Sequence, residues 1–406
     1  MTPNAVDKPS QENNDSLWSA NFILVCLSSL FLMFGFTSLV PTLPIYIEEY
    51  SDLTGVAGLP LAALTLGAVL TRPLTGWGLD VYGRRAILFG GLALFLLPNL
   101  IYIGMLPALF LIIFRFIQGA GFGVGNTSLS TVASDVVPAR RLGEGMSIFT
   151  ITISMAMAAG PSLGLWLIEE YSFPVFFSVV SGFSFISIML MLLVRFPRRK
   201  IKQKGSRPKL VFMDKDCLPP AIIILLFTIN NSAIVSFISL HAMEQGVANA
   251  GVFFVSMAFS TLSVRPFVGK MLDKRGSTGY HIAILAGTVA ITAATLILSQ
   301  VASIAYLVWG GICYGVGFGF IQPSMLALSI SRLSYKKRGA ANATYWTAYD
   351  LGVAIGSASW GVIGALAGYG TMFLLSIIPV ASGGLFYFIT APRPEVIETE
   401  VKQETS

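Results

Sequence analysis

The chain has 406 residues, of which 54% are hydrophobic and only 11% charged, and its mean hydropathy is +0.75. A soluble domain carries about a quarter charged residues, so a surface wetted on all sides is excluded and most of it must face lipid. The net charge of +6 and pI near 9.2 would elsewhere suggest nucleic acid, but here the basic residues punctuate apolar runs, which is the pattern of membrane topology.

The first residues, MTPNAVDKPSQENNDSLW, are polar and lack a basic leader, so the apolar run after them reads as a retained helix and not a cleaved signal. Crossing a bilayer takes about 20 apolar residues. Runs of that order lie near 20–46, 56–77, 86–103, 106–134, 145–168, 174–194, 218–240, 248–271, 280–299, 303–331, 338–366 and 371–390. Pro98 is expected to kink the third. The expected fold is therefore an all-α integral membrane protein with twelve transmembrane helices in two six-helix repeats. Its parts are a tail over 1–20, an N-terminal bundle over 21–194, a basic linker over 195–217, a C-terminal bundle over 218–390 and a tail over 391–406.

Charge sets the orientation. With the N-terminus in the cytoplasm, the 26 Lys and Arg residues fall in cytoplasmic loops and tails, apart from Arg115 inside the fourth span and Arg72 and Arg265 at cytoplasmic helix ends. The external loops carry Glu48, Glu49, Asp52, Glu169, Glu170 and Glu244 instead. A split of this kind puts both termini in the cytoplasm, in a multi-pass protein of the cell membrane. The basic linker is expected to rest on anionic headgroups.

The chain also repeats itself. TRPLTGWGLDVYGRR, from Thr71, is echoed by VRPFVGKMLDKRGST, from Val264. Arg72, Pro73, Gly76, Leu79, Asp80 and Gly83 recur as Arg265, Pro266, Gly269, Leu272, Asp273 and Gly276. Gly119, Gly121 and Gly123 of the fourth span recur as Gly315, Gly317 and Gly319 of the tenth, and Gly160 as Gly356. Such parallel repeats are related by an axis along the membrane normal.

On these residues the chain resembles the major facilitator superfamily over residues 20–390. GWGLDVYGRR is similar to its signature between the second and third helices, and RFIQGAGFG to its fourth-helix motif. VPTLPIY at Val40–Tyr46 and AAGPSLG at Ala158–Gly164 resemble the twelve-helix drug/proton antiporter branch. The second motif is incomplete, with Ala156 and Leu165 where the pattern has glycine. The resemblance implies that Gly76, Asp80, Gly83, Arg84, Asp135 and Asp273 build a cytoplasmic gate. It implies that Gly160, Pro161 and Gly164 bend the fifth helix to seal the interface between the halves. It also implies that the first, fourth, seventh and tenth helices line a central cavity.

Charge inside the membrane is the sharpest chemical signal, because it is expensive there. Arg115 lies roughly 13 Å into the fourth span and Asp350 roughly 18 Å into the eleventh, at 1.5 Å per residue. A carboxylate that alternates between a dry site and a cationic neighbour can take up and release a proton. Asp350 is therefore the proton-carrier candidate and Arg115 the other proton-coupling candidate. A fixed ion pair or a hydrogen-bonded structural acid is the other reading of Asp350, and whether the two residues meet depends on how the bundles dock. Helical spacing sets Arg115, Phe122 and Asn126 on one face of the fourth span, Asn230 and Asn231 in the seventh, Phe318 and Gln322 in the tenth, and Trp346 and Tyr349 beside Asp350. These are the candidate cavity residues.

The function expected is proton-coupled efflux of a small amphipathic organic compound by alternating access, with a dedicated exporter of one metabolite (a sugar, nucleobase, amino-acid derivative or metallophore) as the alternative. The partners are substrate, protons and lipid, not nucleic acid, and the working unit is a monomer. Cys26, Cys217 and Cys313 lie too far apart for a metal or disulfide framework, so no metal and no cofactor is expected. Without a G-x-x-x-x-G-K-[ST] loop or an H-E-x-x-H motif, ATP hydrolysis and zinc-protease chemistry have no footing, and the chain is not read as an enzyme.

Overall fold

The computed structural model describes residues 17–50, 59–196, 213–247 and 249–390. Most of the two tails and of the linker, and Asp52 with them, lie outside the described residues. Within them the chain forms α1 (Ala20–Tyr50), α2 (Leu59–Val81), α3 (Arg84–Tyr102), α4 (Ala108–Val136), α5 (Leu142–Glu170) and α6 (Phe173–Leu192). Then come α7 (Leu218–Glu244), α8 (Gly251–Ser299), α9 (Ile304–Ser331), α10 (Arg338–Ala367), α11 (Tyr369–Leu375) and α12 (Ile377–Thr390). Short 3-10 turns lead into α5, α7 and α10, and no strand occurs among the described residues.

Two elements need reading before passes can be counted. The 49 residues of α8 are two arms joined at Gly276, whose φ of 50° and ψ of −127° leave the helix. Gly83, its counterpart in the first half, turns the chain from α2 into α3 with φ 96°. Positive φ costs glycine nothing and any other residue strain, so the echoed phrase keeps glycine at this position in both copies. In the last pass, α11 and α12 are interrupted at Ser376, whose carbonyl and hydroxyl receive the Asn230 side-chain amide at 3.0 and 2.9 Å. The twelve passes are thus α1 to α7, the two arms of α8, α9, α10 and the joined α11–α12.

Within the first half, α1 packs on α5 and α6, α2 on α4, and α3 on α4 and α6; in the second, α7 packs on α10 and α12, and α9 on α8. The halves meet along two seams, α2 against α10 and α5 against α8. Among the described residues, nine helical stretches are long and apolar enough to cross a membrane, with α8 counted once, and α2 and α10 are not among them. Their polarity fits their place. Each spends one face on the other half instead of on lipid, so it needs fewer apolar residues to be stable in a bilayer.

The alternating glycines of α4 and α9 explain the second echo. A Cβ on Gly119 would stand 2.0 Å from the Leu64 carbonyl oxygen of α2, and one on Gly121 would stand 2.4 Å from the Phe95 nitrogen of α3. In the second half Gly315 would meet the Met257 carbonyl at 2.3 Å and Gly317 the Ile291 side chain at 2.6 Å, one on each arm of α8. Two residues apart on a helix is more than half a turn, so alternate glycines serve neighbours on opposite sides. A Gly119→Val side chain has no space unless α2 retreats, and overpacking of this kind costs about 1–3 kcal/mol or more. Thermal unfolding in detergent is expected to fall clearly for Gly119→Val. Gly90→Val, where nothing lies within 4 Å, serves as the control and is expected to be silent.

Candidate functional site

At one end of the first seam, the start of α10 presents backbone N–H groups that have no acceptor in their own helix. The acceptor comes from the other half. Asp80, at the end of α2, takes the Gly339 N–H at 3.2 Å on Oδ1 and the Ala340 N–H at 3.1 Å on Oδ2. The second seam repeats this: Asp273 of α8 accepts from the N–H groups of Gly143 and Glu144, at the start of α5, both at 2.8 Å. A negative charge at a helix N-terminus also meets the positive end of the helix dipole. Glycines let the backbones come close enough. A Cβ on Gly76 would meet Ala343 Cβ at 2.6 Å, and one on Gly269 would meet Glu144 Cα at 2.5 Å.

Charge distinguishes the seams. On the first, Arg84 bonds Asp80 at 2.8 Å and Asp135 of α4 at 2.9 Å, while Arg338 donates to the Ser134 carbonyl and stands 3.6 Å from Asp135. On the second, Ser277 occupies the position of Arg84 in the repeat and Ser331 that of Asp135. The expected gate residues divide between the two seams: Gly76, Asp80, Gly83, Arg84 and Asp135 stand at one, Asp273 at the other.

Deeper along the seams the sequence left open which charges meet. Asp350 does not meet Arg115. It meets Arg72, whose Nε and Nη2 both lie 2.8 Å from Asp350 Oδ2 across the seam. Arg72 Nη1 donates to Thr127 of α4 at 3.2 Å, and the guanidinium lies 5.5 Å from the centre of the Trp346 ring. Arg72 is 1% exposed and the Asp350 side chain 17%. Neither Arg72 nor Arg265 is at a helix end; α2 runs on to Val81 and the first arm of α8 to Gly276, so both guanidinia are buried inside the protein. Arg265 donates to the Thr150 carbonyl of α5 and to Gln322 Oε1 of α9. Arg115 bonds Gln118, which donates to Asn99, which donates to Ser184 at 3.0 Å. This polar thread through α4, α3 and α6 stays inside the first half.

The remaining candidates separate in the same way. Phe122 stacks on Phe36 of α1 with ring centres 4.3 Å apart, and Asn126 is buried. Asn231 donates to the Tyr314 hydroxyl at 3.1 Å, and Phe318 stacks on Tyr314. Gln322 is held by Arg265, while Trp346 and Tyr349 lie together next to the ion pair, their ring centres 5.5 Å apart. Asn230 turns the other way, into the second half. The Gly160–Gly164 stretch does not lie on a seam either: Gly160 packs on Thr37 and Gly164 on the Ser38 carbonyl, so this part of α5 holds α1 within the first half. On α10, Gly356, the image of Gly160, packs on α7, as does Gly352 one turn earlier. The stretch also spells G-x-S-x-G, but in mid-helix, without the strand-to-helix turn that a nucleophile elbow needs. Sequence reading missed Arg72, Arg265, Thr150 and Arg338 as site residues. The signal for the first two was present, since both belong to the echoed phrase.

Twelve passes in two matching halves, joined along seams that carry buried charge, define a multi-pass helical membrane protein. Residues 25–357 match the model of the Major Facilitator Superfamily, and the chain belongs to that superfamily. It is similar to the staphylopine export protein of Staphylococcus aureus, 22% identical over 84% of this chain and 88% of that one. It is also similar to the multi-drug resistance efflux pump PmrA of Streptococcus pneumoniae, 22% identical over 93% and 96%. Among solved structures, the human organic anion transporter MFSD10 superposes with a TM-score of 0.75 at 16% identity, covering 90% of this chain and 98% of that one.

In Asp80→Asn the side-chain amide would face a backbone N–H, so one of the two capping bonds is lost. Losing a helix cap costs about 0.5–2 kcal/mol. Cysteines introduced at the α2–α10 seam are expected to become several-fold more reactive, and Asp80→Asn with Asp273→Asn more so than either alone; unchanged reactivity in the double variant would show that the caps do not hold the seams shut.

Proposed function

We propose that the protein exports a small amphipathic organic compound in exchange for protons, and that the Arg72–Asp350 pair is the coupling element. The observation that carries this reading is that the pair joins the two halves, so the charge state of one carboxyl bears directly on whether they stay together at that seam. The positive-inside pattern makes the capped ends of the seams cytoplasmic, in the cell membrane, and the state described is then closed towards the cytoplasm.

The cycle follows from charge. A proton arriving from outside neutralises Asp350 and removes the attraction to Arg72, which keeps Thr127 and the Trp346 ring as partners. The halves part on the cytoplasmic side, the proton leaves, and cargo enters. The restored ion pair then favours closure and presents the cargo to the outside. Each inward proton contributes about 2.3 kcal/mol per 100 mV of membrane potential. One chain carries both seams, so a monomer suffices. Staphylopine export and staphyloferrin B transport among the relatives favour a second reading, a dedicated metabolite exporter on the same mechanism.

The test uses proteoliposomes, acid inside and loaded with a pH-sensitive dye, to which lipophilic cations, neutral solutes and organic anions are added in turn. One class is expected to drain protons from wild-type vesicles and none from Asp350→Asn vesicles; equal drainage from both would remove Asp350 from the coupling. Stability offers an independent check. Breaking a buried ion pair from one side costs about 3–5 kcal/mol, while removing both partners is far milder. Arg72→Gln is therefore expected to lower the unfolding temperature, and Arg72→Gln with Asp350→Asn to recover most of it without recovering coupling.

A further inference from the structure

The two seams are images of one another in backbone and glycine, yet their deep charges do not match. Arg72 crosses its seam to a carboxylate. Arg265, its counterpart in the repeat, crosses to the Thr150 backbone carbonyl and, among the described residues, finds only the side-chain amide oxygen of Gln322 besides, with no partner for its Nε. The residue of α5 that corresponds to Asp350, on the spacing that relates Gly143 to Gly339 and Gly160 to Gly356, is Ser154. Arg265 is 0% exposed. Of the three arginines buried deep within the helices, Arg72 has its carboxylate and Arg115 is enclosed in the first half. Among the described residues, Arg265 is left as a buried cation without a counter-charge, at a surface that separates and rejoins in the alternating-access reading.

Burying such a charge is costly, and the cost is relieved by any anion that can reach it. The Thr150 carbonyl belongs to the opposite half, so Arg265 loses that partner whenever α5 and α8 part. At that moment it faces the opened seam, with the neutral Ser154 at the place where the other seam has Asp350. We propose that the cargo is an organic carboxylate whose carboxyl group pairs with Arg265 in the cytoplasm-open state. Closure drives the cargo off, because the Thr150 carbonyl returns and, with Gln322, takes over the guanidinium. The cargo's own carboxyl group thus plays on the second seam the part that Asp350 plays on the first. This inference rests on the alternating-access reading above, with the capped side cytoplasmic.

The test measures binding, not transport, on the purified full-length protein, by ligand-dependent thermal shift and intrinsic tryptophan fluorescence. The probes are naphthoate, its neutral counterpart naphthamide, the cation naphthylmethylamine, and citrate as a carboxylate without a ring. At least one carboxylate is expected to bind and to be preferred over the amide and the amine. Asp273→Asn, which loosens the α5–α8 seam, is expected to bind it more tightly than wild type. Arg265→Gln is expected to bind it roughly tenfold more weakly or worse, the loss that follows from removing a charge-assisted hydrogen bond, with Arg265→Lys in between. Equal or better binding of the amine or the amide overturns the proposal, as does failure of both carboxylates to bind wild type and Asp273→Asn. Unchanged carboxylate affinity in Arg265→Gln overturns it as well. If the arginine variants do not fold, the order of preference in wild type and Asp273→Asn decides. Asp350→Asn separates the two readings: carboxylate binding retained there, whatever becomes of proton release, supports the Arg265 site independently of Asp350 coupling.

Discussion

The first N–H groups of α5 and α10 need acceptors, and much of the structure is arranged around where those acceptors are. Each comes from the opposite half, as Asp273 and Asp80. A carboxylate can reach a helix start only if the two helices nearly touch, which requires Gly76 and Gly269 on one side and Gly339 and Gly143 on the other. Close approach in turn brings Arg72 within reach of Asp350 and Arg265 within reach of Thr150, deeper along the same helices. One local demand of backbone chemistry therefore sets the distance at which the buried charges face each other.

The two seams share this frame and differ in what they place on it. The α2–α10 seam is dense in charge, with Arg84, Asp135 and Arg338 around the cap and an ion pair beneath it. The α5–α8 seam has its cap, the Glu144–Arg141 pair beside it, and a guanidinium held by neutral oxygens. A repeat in sequence does not carry the same electrostatics twice. In a medium with little water the difference is amplified, since an unpaired charge there has few ways to be stabilised.

The architecture was legible because each pass is an apolar run of bilayer length and each turn between passes is polar or glycine-marked. The runs over 56–77 and 338–366 were read as apolar spans like the others, although the composition of α2 and α10 is diluted by the residues that face the other half. The cluster of Asp80 and Arg84 was legible because both belong to one short motif, whereas Asp135, 51 residues further on, was added to them by resemblance. What stayed hidden depends on docking. Arg72 was assigned to a helix end because the charged phrase reads as loop, while the helix continues for more than two turns beyond it. Arg115 and Asp350 are the charges that stand out in the apolar runs, but α4 turns Arg115 towards α3, and no linear pattern reports that rotation. The Gly160–Pro161 stretch was placed at the interface by resemblance, whereas α5 meets α8 through Gly143, Ser147 and Thr150, nearer its start.

The exchange of caps has a consequence for how the chain counts as a unit. Neither half can finish its own helices: alone, each would show a bare helix start and a stranded carboxylate, and its partner would show the same pair in reverse. The molecule is thus, in physical terms, a two-component complex whose components happen to share one chain. Its recognition code is short, consisting of two acids and four glycines, each meaningful only against the other component. Duplication of an ancestral six-helix unit would yield this reciprocity at once, because a homodimer trading caps across its axis becomes a single chain trading caps across a linker.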